Sequence, residues 1–169
     1  IQVRRRALEE ALAHHLAALA SFERAGDLRG ACQTQSNVGF IHAQLGDFVL
    51  AEHALRRAHE GAQRMGLWTI VALADHNLGG VLAALGRLEE ARAVEHSAAE
   101  AFRASGDPRL EGSSRVYLSR ILLAAGDVAG AEADARRVAE SPASPAPLRA
   151  GALAARALAL QPRARGAVP

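Results

Sequence analysis

Seven histidines are the side chains of this sequence best suited to bind a metal ion. A helical zinc site typically uses two such ligands four residues apart, as in His-Glu-x-x-His, and no two of these histidines have that spacing. They are His14, His15, His42, His53, His59, His76 and His96. The spacing favours ordinary helical histidines, and we expect no metal site and no cofactor.

Candidate nucleophiles are equally scarce. The sequence has no Gly-x-Ser-x-Gly elbow and no phosphate-binding loop, and Ser113-Ser114 lies early in a predicted helix without a base nearby in sequence. Cys32 lies in an apolar–polar helical pattern typical of a small core or groove residue, with a reactive thiol as the alternative. As the only cysteine, it excludes an internal disulfide and favours a reducing compartment. We therefore expect no catalytic residues and no enzyme activity from this chain alone.

Polar side chains recur at one position with a spacing of forty residues. Asn37 and Asn77 are equivalent, and Tyr117 takes the same place forty residues later. An asparagine amide offers one acceptor and two donors, so a ladder of them could hold the backbone of an extended peptide. Alternatively, these side chains form hydrogen bonds between neighbouring repeats and fix the stacking geometry. The sequence leaves both interpretations open.

These residues belong to a segment at 37–58 that recurs at 77–98 and 117–138. Half of all residues are apolar, mostly Ala and Leu, while aromatic residues make up only 4%, a composition that suits closely packed helices. Alternating strand patterns are nearly absent. The predicted fold class is therefore all-α. The register of the repeat is marked by Gly46, Gly86 and Gly126, and by Ala51, Ala91 and Ala131.

We predict one array over residues 1–160. An orphan second helix at 3–25 precedes helix pairs at about 28–65, 68–105 and 109–140, followed by a covering helix at about 147–160 and a flexible tail at 161–169. Asp27 and Asp47 would cap the helices that follow them. Short links make neighbouring helices antiparallel, and each pair leaves an apolar flank that only the next pair can cover. The pairs therefore stack as an α-solenoid.

Small residues predict where the helices approach each other most closely. Gly39 and Gly79 lie in mid-helix, where glycine costs about 1 kcal/mol relative to alanine. Their presence there favours a partner helix directly against the backbone, with Ala51 and Ala91 as the opposing positions. Trp68, at the start of the second pair, is expected to pack.

The chain resembles the tetratricopeptide repeat family over about residues 1–140. The resemblance rests on Val38-Gly39, Leu78-Gly79 and Leu118-Ser119 in the first helices and on Ala51, Ala91 and Ala131 in the second helices. The forty-residue period is similar to the longer-helix variety of kinesin light chains and of large bacterial signalling proteins. HEAT-type repeats share the length but lack this Gly and Ala pattern. The resemblance implies a right-handed α-solenoid.

By the same resemblance, the first helix of each pair lines the concave surface, where a protein or peptide partner would bind. The residues on those stripes are Gln33, Asn37, Phe40 and Gln44, then Leu73, His76 and Asn77, then Tyr117 and Arg120. Arg120 could receive an acidic group, although a solvated helical arginine is the ordinary alternative. The departures from the family pattern include Gln35, Asp75 and Arg115, which stand where an aromatic residue is expected, and Glu95, which replaces a phenylalanine.

Charge and hydropathy narrow the possible partners. The formal net charge is only +2 and the arginines alternate with acids, so we expect no nucleic-acid binding. No apolar run reaches the length of a membrane span.

We predict a cytoplasmic protein-interaction segment of a larger, bacterial regulatory protein. Two alternatives are self-association through the N-terminal helix and a ligand-sensing domain attached to a catalytic or DNA-binding domain. The apolar stripe of that helix is Leu8, Ala11, Leu12, Leu16, Leu19 and Phe22.

Overall fold

The computed structural model describes residues 2–160, and every secondary-structure element in that range is an α-helix. The all-α prediction is confirmed. The helices are α1 (Gln2–Ala25), α2 (Leu28–Leu45), α3 (Phe48–Arg64), α4 (Trp68–Ala84), α5 (Leu88–Ala104), α6 (Pro108–Ala124), α7 (Val128–Glu140) and α8 (Ala146–Leu160). The predicted tail at 161–169 lies outside the described residues. Within the described range, no helix has both the length and the apolar character needed to cross a membrane.

Six glycines with positive φ separate the first seven helices. They recur every twenty residues with φ between +67° and +90°, a region that glycine enters without the steric cost of a Cβ atom. They are Gly26, Gly46, Gly66, Gly86, Gly106 and Gly126. Because each turn uses the same left-handed residue, each pair of successive helices reverses direction in the same few residues.

The residue after each glycine is the N-cap of the next helix, but the predicted side-chain capping by Asp47 is wrong. Asp27 accepts a hydrogen bond from the Gly30 amide, as predicted. Asp47 forms no side-chain capping bond; its Oδ2 lies 3.6 Å from the imidazole Nδ1 of His42. Asp47 therefore occupies the N-cap position of α3 without a side-chain bond to the helix.

The first helices of the repeats lie on the inner side of the array. Helices α2 and α4 contact each other directly, and so do α4 and α6. Within residues 2–160, the backbones of the second helices α1, α3, α5 and α7 do not approach one another in this way. Neighbouring repeats are thus closer together along α2, α4 and α6, which makes that face concave. The observed architecture is an all-α solenoid of helical repeats.

Helix α8 takes the position of the first helix of a further repeat. It packs on α7 and α6 in the way that α4 packs on α3 and α2. Its Ala152 is buried forty residues after the buried Gly112, so the period continues through this helix. From the sequence we expect only a covering helix here, because the proline-rich segment at 141–147 interrupts the forty-residue period. In the structure, α7 has 13 residues where α3 and α5 have 17. The linker at 141–145 is longer than the earlier ones and compensates for most of the residues that α7 lacks, so α8 stays close to the forty-residue period.

Close packing between the two helices of a repeat centres on Gly39. A Cβ atom at Gly39 would lie 2.6 Å from Leu55 Cγ and 3.2 Å from the backbone oxygen of Ala51. Ala51 and Leu55 are completely buried. Real carbon atoms do not approach so closely, so the α2–α3 contact requires the absence of a side chain at residue 39.

Replacing two mid-helix glycines by alanine should change stability in opposite directions. Gly80→Ala places its Cβ 3.7 Å from the Tyr117 ring, an ordinary contact, so the better helix propensity of alanine should raise the free energy of unfolding by up to about 1 kcal/mol. Gly39→Ala gains the same helix propensity, but its Cβ pushes α2 away from α3. This variant should therefore lower the free energy of unfolding by about 1–3 kcal/mol. Urea unfolding of both variants checks this. Equal stabilisation by the two substitutions would show that the helices can separate without cost.

Candidate functional site

A depression of about 200 Å³ lies on the concave face, where α2, α4 and α6 converge. It contains five of the nine residues that the sequence analysis assigned to partner binding, from all three helices. Those five are Phe40, Gln44, His76, Asn77 and Tyr117, and Ala43, Phe48, Gly80 and Val81 complete the lining. We call this depression the concave groove.

Two exposed aromatic rings flank the concave groove. The solvent-exposed fractions of Phe40 on α2 and Tyr117 on α6 are 47% and 42%. Gly80 lies between them on α4 and leaves the space that a side chain would occupy. The guanidinium carbon of Arg120 lies 5.9 Å from the centre of the Tyr117 ring, within range of a cation–π contact. Arg4 Nη2 also donates a hydrogen bond to Gln44 Oε1 at 2.9 Å, so the groove combines apolar surface with two adjacent positive charges.

His76 lies in the lining of the concave groove and is held in place from behind. Its Nδ1 is 2.6 Å from Glu95 Oε1, and Ser114 Oγ is 3.0 Å from the same nitrogen. The ring also meets Tyr117 and Phe102 edge to face, at centroid distances of 5.2 and 6.4 Å. These contacts fix the ring orientation, so the groove presents a preorganised imidazole.

Glu95, on α5, is completely buried and accounts for the orientation of His76. Its second carboxylate oxygen, Oε2, packs against Gly79 and has no hydrogen-bond partner within the described residues. Loss of hydration at this position raises the pKa of Glu95, an effect that the bond to His76 only partly offsets. The folded chain therefore keeps the Glu95 carboxyl group protonated to higher pH than the unfolded chain does.

A similar pair joins α3 to α4 nearby. His59 Nδ1 lies 2.6 Å from Asp75 Oδ1, and Asp75 is buried. Burial raises the pKa of Asp75, and the neighbouring His59 opposes that rise. In each of these two pairs, a buried carboxylate thus binds a partly buried histidine on the neighbouring helix.

The side chains around His76 resemble a nucleophile–base–acid arrangement, with Ser113 in the place of the nucleophile. Ser113 Oγ lies 3.4 Å from His76 Nε2, opposite the nitrogen that faces Glu95. However, Ser113 lies inside α6, where backbone N–H groups already form helical hydrogen bonds and cannot stabilise an oxyanion. The geometry favours an orienting role for Ser113, Ser114 and Glu95 over nucleophilic catalysis.

The other predicted binding residues lie outside the concave groove. Gln33 lines a separate depression with Phe22 and Thr69, while Asn37 is half-buried on α2. Leu73 packs against the buried cluster around Phe102. Arg120 is exposed beside Tyr117.

Two predictions about apolar residues meet different outcomes. Trp68 was expected to pack, but its side chain is 65% exposed at the start of α4. In the apolar stripe of α1, Leu16 is exposed, Leu19 is buried and the remaining members are partly covered by α2. The stripe therefore offers less apolar surface than its sequence suggests.

Sequence reasoning missed the partners of the buried charged residues. Arg115 forms ion pairs with Glu111, Asp134 and Glu100 at 2.8, 3.0 and 3.1 Å, and so joins α5, α6 and α7. The sequence did contain a signal for these buried charges. Arg115 stands where an aromatic residue is expected in the first helix, and so does Asp75. A charge at a core position must find partners, but the sequence does not identify them.

Comparisons with known proteins add no assignment for this site. The chain matches no protein-family model and no curated protein. Within the described range, no three His, Cys, Asp or Glu side chains are grouped so that they could hold a metal ion.

The raised pKa of Glu95 predicts how stability depends on pH. Since the folded chain keeps Glu95 protonated to higher pH than the unfolded chain does, the free energy of unfolding should fall as the pH rises above about 4.5, the ordinary pKa of a glutamic acid. Glu95→Gln removes this titration and should flatten the curve; Asp75→Asn should flatten it further. Urea unfolding across this range measures both slopes. Parallel curves for the wild type and Glu95→Gln would contradict a raised pKa.

Proposed function

We propose that this chain is a protein-interaction module whose concave groove binds a peptide segment or a partner surface. The observation that carries the proposal is the convergence of Phe40, His76 and Tyr117 from three repeats on one depression. Exposed aromatic residues beside a few well-placed polar groups are typical of binding surfaces. Other large apolar side chains are also exposed, but Phe40 and Tyr117 lie at one depression, on α2 and α6, so together they form a contiguous apolar surface.

The chemistry of the groove supports a particular kind of partner. Its polar groups are the amides of Gln44 and Asn77 and the imidazole of His76, and no residue that lines it is acidic. Arg120 adds a positive charge at the edge. A neutral or acidic extended segment with an apolar side chain between the two aromatic rings would satisfy these groups. Asn77 can pair with the backbone of such a segment without reading its sequence.

The resemblance to tetratricopeptide repeats supports the same proposal. In that family the first helices form the partner-binding face, and here α2, α4 and α6 form the inner face. We propose further that the module serves a larger cytoplasmic regulatory protein, in keeping with the long-helix bacterial variety it resembles. Self-association through α1 has less support, because α2 covers part of its apolar stripe.

Selection from a displayed library of short random peptides tests the proposal. The wild-type chain should enrich a consensus with an aromatic or aliphatic side chain, and Phe40→Ser with Tyr117→Ser should weaken binding of the selected peptide by roughly tenfold or more. Val49→Ser with Leu50→Ser is the matched control. These two apolar side chains, 73% and 54% exposed, lie at the start of α3 outside the groove.

The result would count against the proposal if the control pair reduced binding as much as the groove pair. Circular dichroism and urea unfolding of both double variants separate binding loss from loss of folding. Asn77→Ala alone should weaken every selected peptide to a similar extent, because the contact would be to the peptide backbone.

A further inference from the structure

A second cavity, of about 340 Å³, lies on the opposite, convex side of the array between α1, α2 and α3. We call it the convex pocket. Its volume falls at the lower end of the range of small-molecule sites. Its apolar lining includes Leu19, Leu28, Ala31, Cys32 and Met65, and its polar groups are Gln35, Glu23, Glu60, Arg57 and Arg64.

Gly61 opens the convex pocket. A Cβ atom at this position would lie 2.6 Å from Cys32 Sγ, so even a methyl group would clash with the thiol that forms the floor of the pocket. The equivalent residues forty and eighty positions later are Ala101 and Ser141, so glycine at this position is particular to α3. Glycine in a helix interior costs about 1 kcal/mol relative to alanine. The first repeat thus carries a destabilising residue where the Cys32 thiol, at the floor of the pocket, packs directly on the α3 backbone.

Gln35 supplies a buried polar group to the pocket without a partner in the protein. Its exposed fraction is 8%, and its amide forms no hydrogen bond with another residue of the described range, although it lines the pocket. The equivalent residues in the next repeats are fully engaged: Asp75 with His59, and Arg115 with three carboxylates. The Gln35 amide thus reaches solvent through the pocket, where a ligand would replace water as its hydrogen-bond partner.

Two arginines surround the pocket, and only one has an ion-pair partner within residues 2–160. Arg57 lies 3.6 Å from Glu23, whereas Arg64 has no carboxylate within ion-pair distance in that range. Nη2 of Arg64 lies 4.0 Å from the position of a Cβ at Gly61, so the guanidinium bends over the pocket. The charges of Arg64 and Arg57 also act on Cys32 at the floor, where they oppose the rise in its thiol pKa caused by burial.

We propose that the convex pocket binds a small monocarboxylate with an apolar body. The carboxylate pairs with Arg64, the apolar body lies along Leu19 and Met65, and the Gln35 amide pairs with a polar atom of the ligand. Arg64 can bind a carboxylate through two parallel hydrogen bonds, which gives this class of ligand an advantage over its neutral analogues. This site is separate from the concave groove and does not depend on the function proposed for it.

The pocket contains two unique reporters, since Cys32 is the only cysteine and Met65 the only methionine in the sequence. Millimolar benzoate or hexanoate should slow alkylation of Cys32 by the neutral reagent N-methylmaleimide. Either ligand should also shift the carbon-13 methyl resonance of Met65. Benzamide, which keeps the ring but lacks the charge, should need roughly tenfold higher concentration for the same shift.

Arg64→Gln tests the charge without disturbing the core, and should raise the half-saturating concentration of the carboxylate roughly tenfold. Arg92→Gln, an exposed arginine on α5, is the matched control and should leave it unchanged. Response to either carboxylate, lost in Arg64→Gln, supports the proposal. No response to either carboxylate at millimolar concentration, equal affinity for benzamide, or equal affinity in Arg64→Gln overturns it.

Discussion

The close approach of the two helices within each repeat is the contact on which the array depends. At its centre, a residue of the first helix faces a residue of the second, and their sizes compensate. Gly39 faces Leu55 and Gly79 faces Glu95, so a large side chain lies directly on the opposite backbone. The equivalent positions in the third repeat carry a serine and a buried alanine, Ser119 and Ala135. Interiors close-packed to this degree tolerate only such matched pairs.

This packing contact also sets the chemistry of the concave groove. In the second repeat the large packing residue is Glu95, a carboxylate rather than an aliphatic side chain. Its buried oxygen binds His76, and His76 faces the groove. The orientation of a groove side chain therefore follows from how α4 and α5 pack, and a change at Gly79 would reach the groove through Glu95 and His76.

Much of the architecture could be predicted from the sequence because it is locally encoded. Left-handed glycines at a fixed spacing specify the turns, and the apolar period specifies the helices, so both are visible in one repeat. Five groove residues were also foreseeable. The resemblance to tetratricopeptide repeats implied that the first helices line the concave face, and helical periodicity then selected Phe40, Asn77 and Tyr117 on those helices. The rest depends on contacts between helices that are distant in sequence. Which carboxylate binds His76, or whether Asp47 turns to a helix or to His42, depends on distances that only the packed array defines.

The same reasoning explains why the convex pocket has no clear sequence signature. Gly61 resembles any helical glycine until Cys32 is placed against it, and Gln35 resembles any surface amide until its burial is known. Both depend on the relative positions of α1, α2 and α3, which the repeat pattern specifies only approximately.

One buried position carries a chemically different side chain in each repeat. Residues 35, 75 and 115 are equivalent, yet they carry an amide, an acid and a base, and each of the two charged residues binds partners on a neighbouring second helix. Nearly identical repeats risk pairing out of order during folding. Exchanging the second and third repeats would bury Arg115 opposite His59 and leave Asp75 without its histidine, at the cost of an uncompensated charge. The polar core thus specifies the order in which otherwise interchangeable units assemble.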